Sequence, residues 1–266
     1  MALVEVPGGR FVMGSDRHYP EERPAHEVDV AGFSLMAAPV TNDEFAAFVT
    51  ATGYVTLAER PPDPARYPGV PAERLVPGSA VFTPPEHPVD LADTLQWWAY
   101  VPGASWRDHA GKGDHPVVHV ALADAEAYAA WVGMRLPTEV EWERAAADAS
   151  VESANVWEGE FPWRSTRPGG GGTTAVGTYA ANPFGLLDMV GNVWEWTATP
   201  WAAHLAPPSS PCCGATDPAA PSIPLHVAKG GSFLCAPEYC ARYRPAARMA
   251  MAVDSGASNL GFRCAR

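Results

Sequence analysis

RLPTEVEWERAAAD, residues 135–148, is the most regular stretch of the chain. Thr138 can cap a helix and Glu141, three residues on, can reach back to it, which is the capping-box pattern. The same device stands at Thr41-Asn-Asp-Glu44, ahead of FAAFVTATGY. There Phe45, Phe48 and Val49 share one helix face and Gly53 supplies the stop. A further helix is expected over Asp124–Val132, ended by Gly133. Around these the periodicity is short. GGRFVMGS (Gly8–Ser15), HEVDVAGFSL (His26–Leu35) and HPVVHV (His115–Val120) read as strands, as do HVAKGGSFLC, YCARYRPAAR and SNLGFRCAR in the C-terminal third. Residues 57–115 are rich in Pro and Gly and read as a long ordered loop, because they carry Phe82, Trp97, Trp98 and Trp106. Residues 166–174 and 208–224 read as further loops. Short helices, short strands and long connections predict an α+β fold with little regular structure. With no tandem repeat and no linker poor in aromatics, residues 1–266 read as one domain.

Composition agrees. The 24 Gly and 28 Pro punctuate regular structure, and ten Trp supply core beneath the loops. Acidic residues outnumber basic ones, 30 to 18, which argues against nucleic acid, since phosphate contacts need clustered Lys and Arg. No run approaches the roughly 20 apolar residues of a membrane helix. The start, MALVEVPGGRFVMG, lacks a basic segment followed by an apolar one and does not read as a secretory signal. The expectation is a soluble, cytoplasmic monomer that engages neither membrane nor nucleic acid. Its five cysteines, Cys212, Cys213, Cys235, Cys240 and Cys264, are an odd count that suits a thiol site better than a disulfide scaffold.

GGRFVMGS, PVTNDEFAAFV, HPVVHV, RLPTEVEW, GNVWEW, KGGSF and NLGFRCA occur in the order and spacing of the sulfatase-modifying-factor family, which the chain resembles over nearly its whole length. The resemblance implies an irregular α+β domain related to C-type lectin-like folds. The family contains formylglycine-generating enzymes, sulfoxide synthases and non-catalytic binding members. The synthases carry an added N-terminal iron-binding bundle that these 266 residues lack. The enzymes resemble GGS-x-x-C-x4-C-x-RYR, and here Gly230-Gly231-Ser232-Phe-Leu-Cys235 is followed by Cys240-Ala-Arg242-Tyr-Arg244. Ala236-Pro237-Glu238 departs from the family, which often has histidine after the first cysteine.

A thiolate pair is a soft site that selects Cu(I). Arg242, Arg244 and Arg248 lie just downstream, and cationic neighbours favour a thiolate. Two buried packing cysteines are the plain alternative. The resemblance implies that Cys235 and Cys240 hold Cu(I), that a substrate cysteine joins the metal, and that O2 oxidises it to Cα-formylglycine. It further implies that Ser232 positions the oxygen species, that Asn259 lies in the pocket, that Tyr239 and Arg248 line a substrate groove, and that Trp194 or Trp196 forms an apolar wall. The implied client is an unfolded sulfatase segment, Cys-x-Pro-x-Arg, whose arginine needs an acid such as Glu59, Asp63 or Asp90. A lectin-like binding module, or an oxidase of another thiol, are the competing readings.

Calcium is implied as well. Asp188 and Glu195 with the carbonyls of Gly191 and Val193 form a hard-oxygen set. A second family site begins at Asn155-Val156, but its aspartate position falls at Gly169, so its ligand set is depleted. The adjacent Cys212 and Cys213 are poorly placed to pair with each other. Cys264 is expected as a free buried thiol, with alanines where relatives place its partner. His115 and His119, four apart on a strand, would sit roughly 13 Å apart and could not share zinc.

Overall fold

Both capping boxes form. Thr138 Oγ1 accepts from the Glu141 N–H while the Glu141 carboxylate accepts from the Thr138 N–H (2.8 Å), and Thr41 and Glu44 do the same at the other helix. The computed structural model describes residues 2–109, 111–167, 171–202 and 223–266. In chain order these form β1 (Leu3–Val6), β2 (Gly9–Met13), β3 (His26–Val30), β4 (Phe33–Met36), α1 (Asn42–Thr52), β5 (Gly78–Phe82), β6 (Trp98–Pro102), α2 (Leu122–Trp131), α3 (Glu139–Ala145), β7 (Gly159–Glu160), β8 (Arg164–Ser165), β9 (Trp194–Pro200), β10 (Leu225–Lys229), β11 (Arg248–Ala252) and β12 (Leu260–Gly261). The fold is α+β with long irregular connections, as composition required.

The largest sheet has the order β11-β10-β9-β12. Three strands are antiparallel, while β12 runs parallel to β9, pairing Leu260 with Trp194. The remaining strands make two-stranded ladders, β1 with β4, β2 with β3, β5 with β6 and β7 with β8. The main buried cluster joins α1 and α2 to the aromatic loops, and a second, around Trp142, holds β1, β4 and α3. Phe45 of α1 is fully buried, stacked on Tyr128 of α2 and edge-on to Phe48, Trp106 and Phe262. Cys235, Cys240 and Cys264 belong to the same buried cluster.

Five expectations change. His26–Leu35 is two strands, because the chain turns at Ala31-Gly32, where a Cβ on Gly8 would stand 2.6 Å from the Gly32 nitrogen. His115–Val120 is not a ladder strand. Pro116 makes a single bridge to Thr41, and His119 takes a left-handed φ of 61°. YCARYRPAAR turns instead of extending: Arg244 Nε donates to the Ala241 carbonyl, Pro245 removes a donor, and strand geometry begins only at Arg248. Within 57–115 the β5–β6 hairpin was hidden by the surrounding prolines. The α2 start also shifts, since the Asp124 carboxylate accepts from the Ala121 N–H and thereby opens the helix at Leu122. Residues 168–170 of the glycine loop, with Gly169, and residues 203–222, with Cys212 and Cys213, lie outside the described residues.

Removing the Thr138 hydroxyl takes away one acceptor for the first turn of α3. Thr138→Ala is expected to lower unfolding free energy by about 1 kcal/mol in urea, with an unchanged m-value. An unaltered midpoint would show that the box carries no stability.

Candidate thiol site

β10 delivers the chain to Gly230-Gly231, and both glycines adopt left-handed φ, 97° and 73°. At Gly231 a Cβ would lie 2.7 Å from the Arg242 carbonyl oxygen and 3.1 Å from Cys235 Sγ, so no other residue fits. The turn that follows is closed by its own backbone. Cys235 N–H donates to the Ser232 carbonyl (2.9 Å), and the Ala236 carbonyl accepts from both Tyr239 N–H (3.0 Å) and Cys240 N–H (2.7 Å). This brings Cys235 Sγ and Cys240 Sγ to 3.5 Å, both fully buried, and both are free thiols. The Ser232 N–H points at Cys235 Sγ (3.5 Å). Ser232 Oγ accepts from Asn259 Nδ2 (3.0 Å) and from the Leu234 N–H. The expected quartet of Ser232, Cys235, Cys240 and Asn259 is therefore one connected group.

Trp194 N–H donates to the Asn259 carbonyl (2.8 Å), setting that buried indole beside the group. Its Nε1 and Asn259 Oδ1 have no partner among the described residues. Trp196 differs, because its indole N–H is taken by the Val120 carbonyl (3.0 Å), so it is a core residue. Tyr239 is half-buried and stacks on Phe161 with ring centres 4.5 Å apart, edge-on to Trp97. Tyr239 was expected from the family resemblance, whereas for Trp97 and Phe161 the aromatic content of the irregular loops was the only sequence signal.

The arginine expectations are corrected. Arg242 donates to Glu21 (2.5 Å), Arg244 makes two bonds to Glu22, and Arg248 pairs with Glu139 through Nε (2.8 Å) and Nη2 (2.9 Å) while lying 4.4 Å from the Trp201 ring centre. Each guanidinium has its own carboxylate, so the three do not present an uncompensated positive field to the thiols. Arg248 is buried inside the sheet–helix junction and not along an open groove. Glu59 is likewise committed, to Arg107, Trp106 and Thr56, whereas Asp63 and Asp90 remain exposed. Tyr19, Glu21 and Glu22 had no recognisable signal in the sequence.

The residues do not fit calcium as arranged. Both Glu195 oxygens are occupied: Oε2 accepts from Arg263 Nε (2.7 Å) and Trp142 Nε1 (2.8 Å), and Oε1 accepts from Arg263 Nη2 (2.7 Å). Asp188 Oδ2 accepts from the Gly177 N–H, and burial raises its carboxyl above the usual range. At the second location the Val156 carbonyl accepts from Arg167 Nε (2.6 Å), while Asn155 Nδ2 donates to Gly172 and Asn192. A guanidinium thus stands at a ligand position in both sets. Cys264 is a free buried thiol, and burial pushes it well above the ordinary thiol range. His115 bonds Thr173 and His119 bonds Ser79, so the two imidazoles serve different neighbours. No helix among the described residues is long and apolar enough to cross a membrane.

Residues 1–266 match the family model for the sulfatase-modifying factor enzyme 1-like domain. The chain belongs to this family. The formylglycine-generating enzyme of Mycobacterium tuberculosis is 51% identical over 98% of this chain and 96% of its own length. A mouse member named inactive Cα-formylglycine-generating enzyme 2 is 35% identical over 99% of this chain and 85% of its own. Among solved structures, PvdO from Pseudomonas aeruginosa superposes with a TM-score of 0.62 over 99% of this chain and 93% of its own, at 23% identity, which shows a shared fold.

Glu195→Gln is expected to cost about 3–5 kcal/mol, because it leaves Arg263 buried without its full counter-charge. Urea unfolding should give the same loss in chelator and in excess calcium. A loss that appears only with calcium would restore Glu195 as a metal ligand.

Proposed function

We propose that this chain oxidises a cysteine of a client sulfatase segment to Cα-formylglycine, using O2 and Cu(I). The observation that carries the reading is the pair of buried free thiols 3.5 Å apart, joined through Ser232 to Asn259. Family membership supports the same reaction, since a relative sharing half of its residues is named for it. Because another relative is named inactive, membership alone does not decide catalysis, and the cysteine pair is what favours the catalytic reading here.

The donor set fits Cu(I). Two sulfurs are soft ligands, they are shielded from water, and their cationic neighbours are already neutralised. Cys235 and Cys240 would hold the ion, and when bound it would supply the one-electron chemistry that O2 requires. The protein's own residues do the rest. The closed backbone turn fixes the separation of the sulfurs. Phe233, Leu234 and Trp194 exclude bulk water. Ser232 Oγ, held by the Asn259 amide, keeps a hydroxyl beside the pair, and the unshared Trp194 Nε1–H and Asn259 Oδ1 leave a donor and an acceptor for a polar reactant. In the substrate, the Cβ–S bond and one Cβ–H bond are replaced by a carbonyl: two electrons pass to O2, water supplies the carbonyl oxygen, and the sulfur leaves as hydrogen sulfide.

An extended substrate containing proline loses less entropy on binding, because its φ is already restricted. Asp63, Asp90 and Glu238, on the turn between the cysteines, are exposed acids open to a substrate arginine.

Cys235→Ala and Cys240→Ala are each expected to abolish turnover and one-equivalent Cu(I) binding while melting near the wild-type temperature. Retained rate at saturating copper would sink the site assignment. Mass spectrometry of Cys-x-Pro-x-Arg peptides should show loss of the mass that separates CH2–SH from CHO, dependent on O2 and Cu(I). Replacing the peptide arginine by alanine should weaken kcat/KM by roughly 1–3 kcal/mol, the worth of a charged hydrogen bond. A peptide series indifferent to both proline and arginine would replace the sulfatase client with a different thiol substrate.

A further inference from the structure

The connection between β2 and β3 crosses the molecule to the segment that follows Cys240. Its central residues, Tyr19 to Glu22, include a single 3-10 turn, Pro20–Glu22. Tyr19 OH accepts the N–H of Ala241, the residue next to Cys240 (3.1 Å). The Arg242 guanidinium lies 4.0 Å from the centre of the Tyr19 ring and donates to Glu21 Oε1, with both charged side chains 2% exposed. Arg244 makes two bonds to Glu22, whose side chain is fully buried. The connection is itself anchored. Ser15 N–H donates to the Glu22 carbonyl (3.0 Å), and Gly14 N–H donates to Glu143 of α3 (2.6 Å).

These contacts divide the restraint on Cys240. On its N-terminal side, the Ala236 carbonyl holds it within the turn. On its C-terminal side, the backbone of the next residue, Ala241, is held by Tyr19, 222 residues earlier in the chain. Without Glu21, Arg242 would be a buried cation with no counter-charge, and the segment carrying Cys240 would have to move outward to hydrate it, while the partly exposed Arg244 would lose its anchor to Glu22.

We propose that Tyr19, Glu21 and Glu22 are positioning residues of the thiol site, fixing Cys240 against Cys235 from outside the catalytic segment. The inference rests on the reading that this pair is the reacting site. Tyr19→Phe removes one oxygen and keeps the ring under Arg242. Glu21→Gln removes one charge, and Glu21→Asp restores it.

Three measurements on the full chain test this. They are Cu(I) affinity by competition with a chromophoric chelator, the rate at which diamide closes the Cys235–Cys240 disulfide, and kcat and KM for the peptide. Partners that orient a ligand from behind it typically set metal affinity by about 10–100-fold. A loss in that range is expected for Tyr19→Phe and Glu21→Gln, with slower disulfide closure, lower kcat and an unchanged peptide KM. Glu21→Asp should recover most of each. Variants that melt lower but keep wild-type Cu(I) affinity and closure rate would overturn the proposal, leaving these residues as ordinary stabilisers. If Glu21→Gln fails to fold, Tyr19→Phe decides alone. Should the wild-type chain bind no Cu(I), the copper reading falls, and the diamide rates still judge the positioning role.

Discussion

Arg263 is the constraint on which the architecture turns. Its guanidinium is fully buried and makes a two-point contact with Glu195. Its remaining donors reach the carbonyls of Met36, Ala37, Leu187 and Asp188. One side chain therefore joins the end of β4, the approach to β9, and β9 itself. Trp142 of α3 adds its indole N–H to the same carboxylate. A charge removed from water must be paired and hydrogen-bonded, so these segments have one arrangement that satisfies it. In a protein with short strands, this fixed polar point replaces the register that a long ladder would have set.

The same rule recurs around the thiols. Lys229, just before the glycine turn, is fully buried and bound to Glu143 (2.8 Å). Arg242, Arg244 and Arg248, just after the cysteines, meet Glu21, Glu22 and Glu139. The reactive segment is thus bracketed by cations, each matched to an acid from α3 or from the β2–β3 connection. The result is a group of sulfur, hydroxyl and amide set among neutralised charges. A thiolate there would owe its stability to a metal more than to nearby arginines.

Legibility followed the locality of the physics. The capping boxes at Thr41 and Thr138 depend on residues three apart, and both were readable. The cysteine pair, with Ser232 nearby, lies in one short segment and was readable too. Asn259 came from family resemblance, and its amide does meet Ser232. What failed was pairing between distant segments. Nothing around Arg248 announces Glu139, and nothing in Tyr19-Pro-Glu-Glu22 announces Arg242 or Arg244. The β5–β6 hairpin was lost among prolines for a related reason, because its pairing is set by its tertiary surroundings, including the bridge from Ala80 to Ala257. Glu195 was assigned to calcium by family resemblance and Glu59 to substrate by residue type, and neither signal shows that Arg263 and Arg107 contact them.

The backbone bonds between Ser34 and Arg266, in both directions, have a consequence for biosynthesis. A ribosome releases β1 and β4 well before the residues that lock them. Until Arg263 emerges, Glu195 and Trp142 lack the partner that organises the centre, and the parallel pairing of β12 with β9 cannot form. Early segments must therefore wait, partly built, with apolar surface uncovered, in a topology whose contacts are mostly remote in sequence. A chain without Arg263 to Arg266 would leave those early segments unlocked, and soluble yield would fall before any assay of activity could be made.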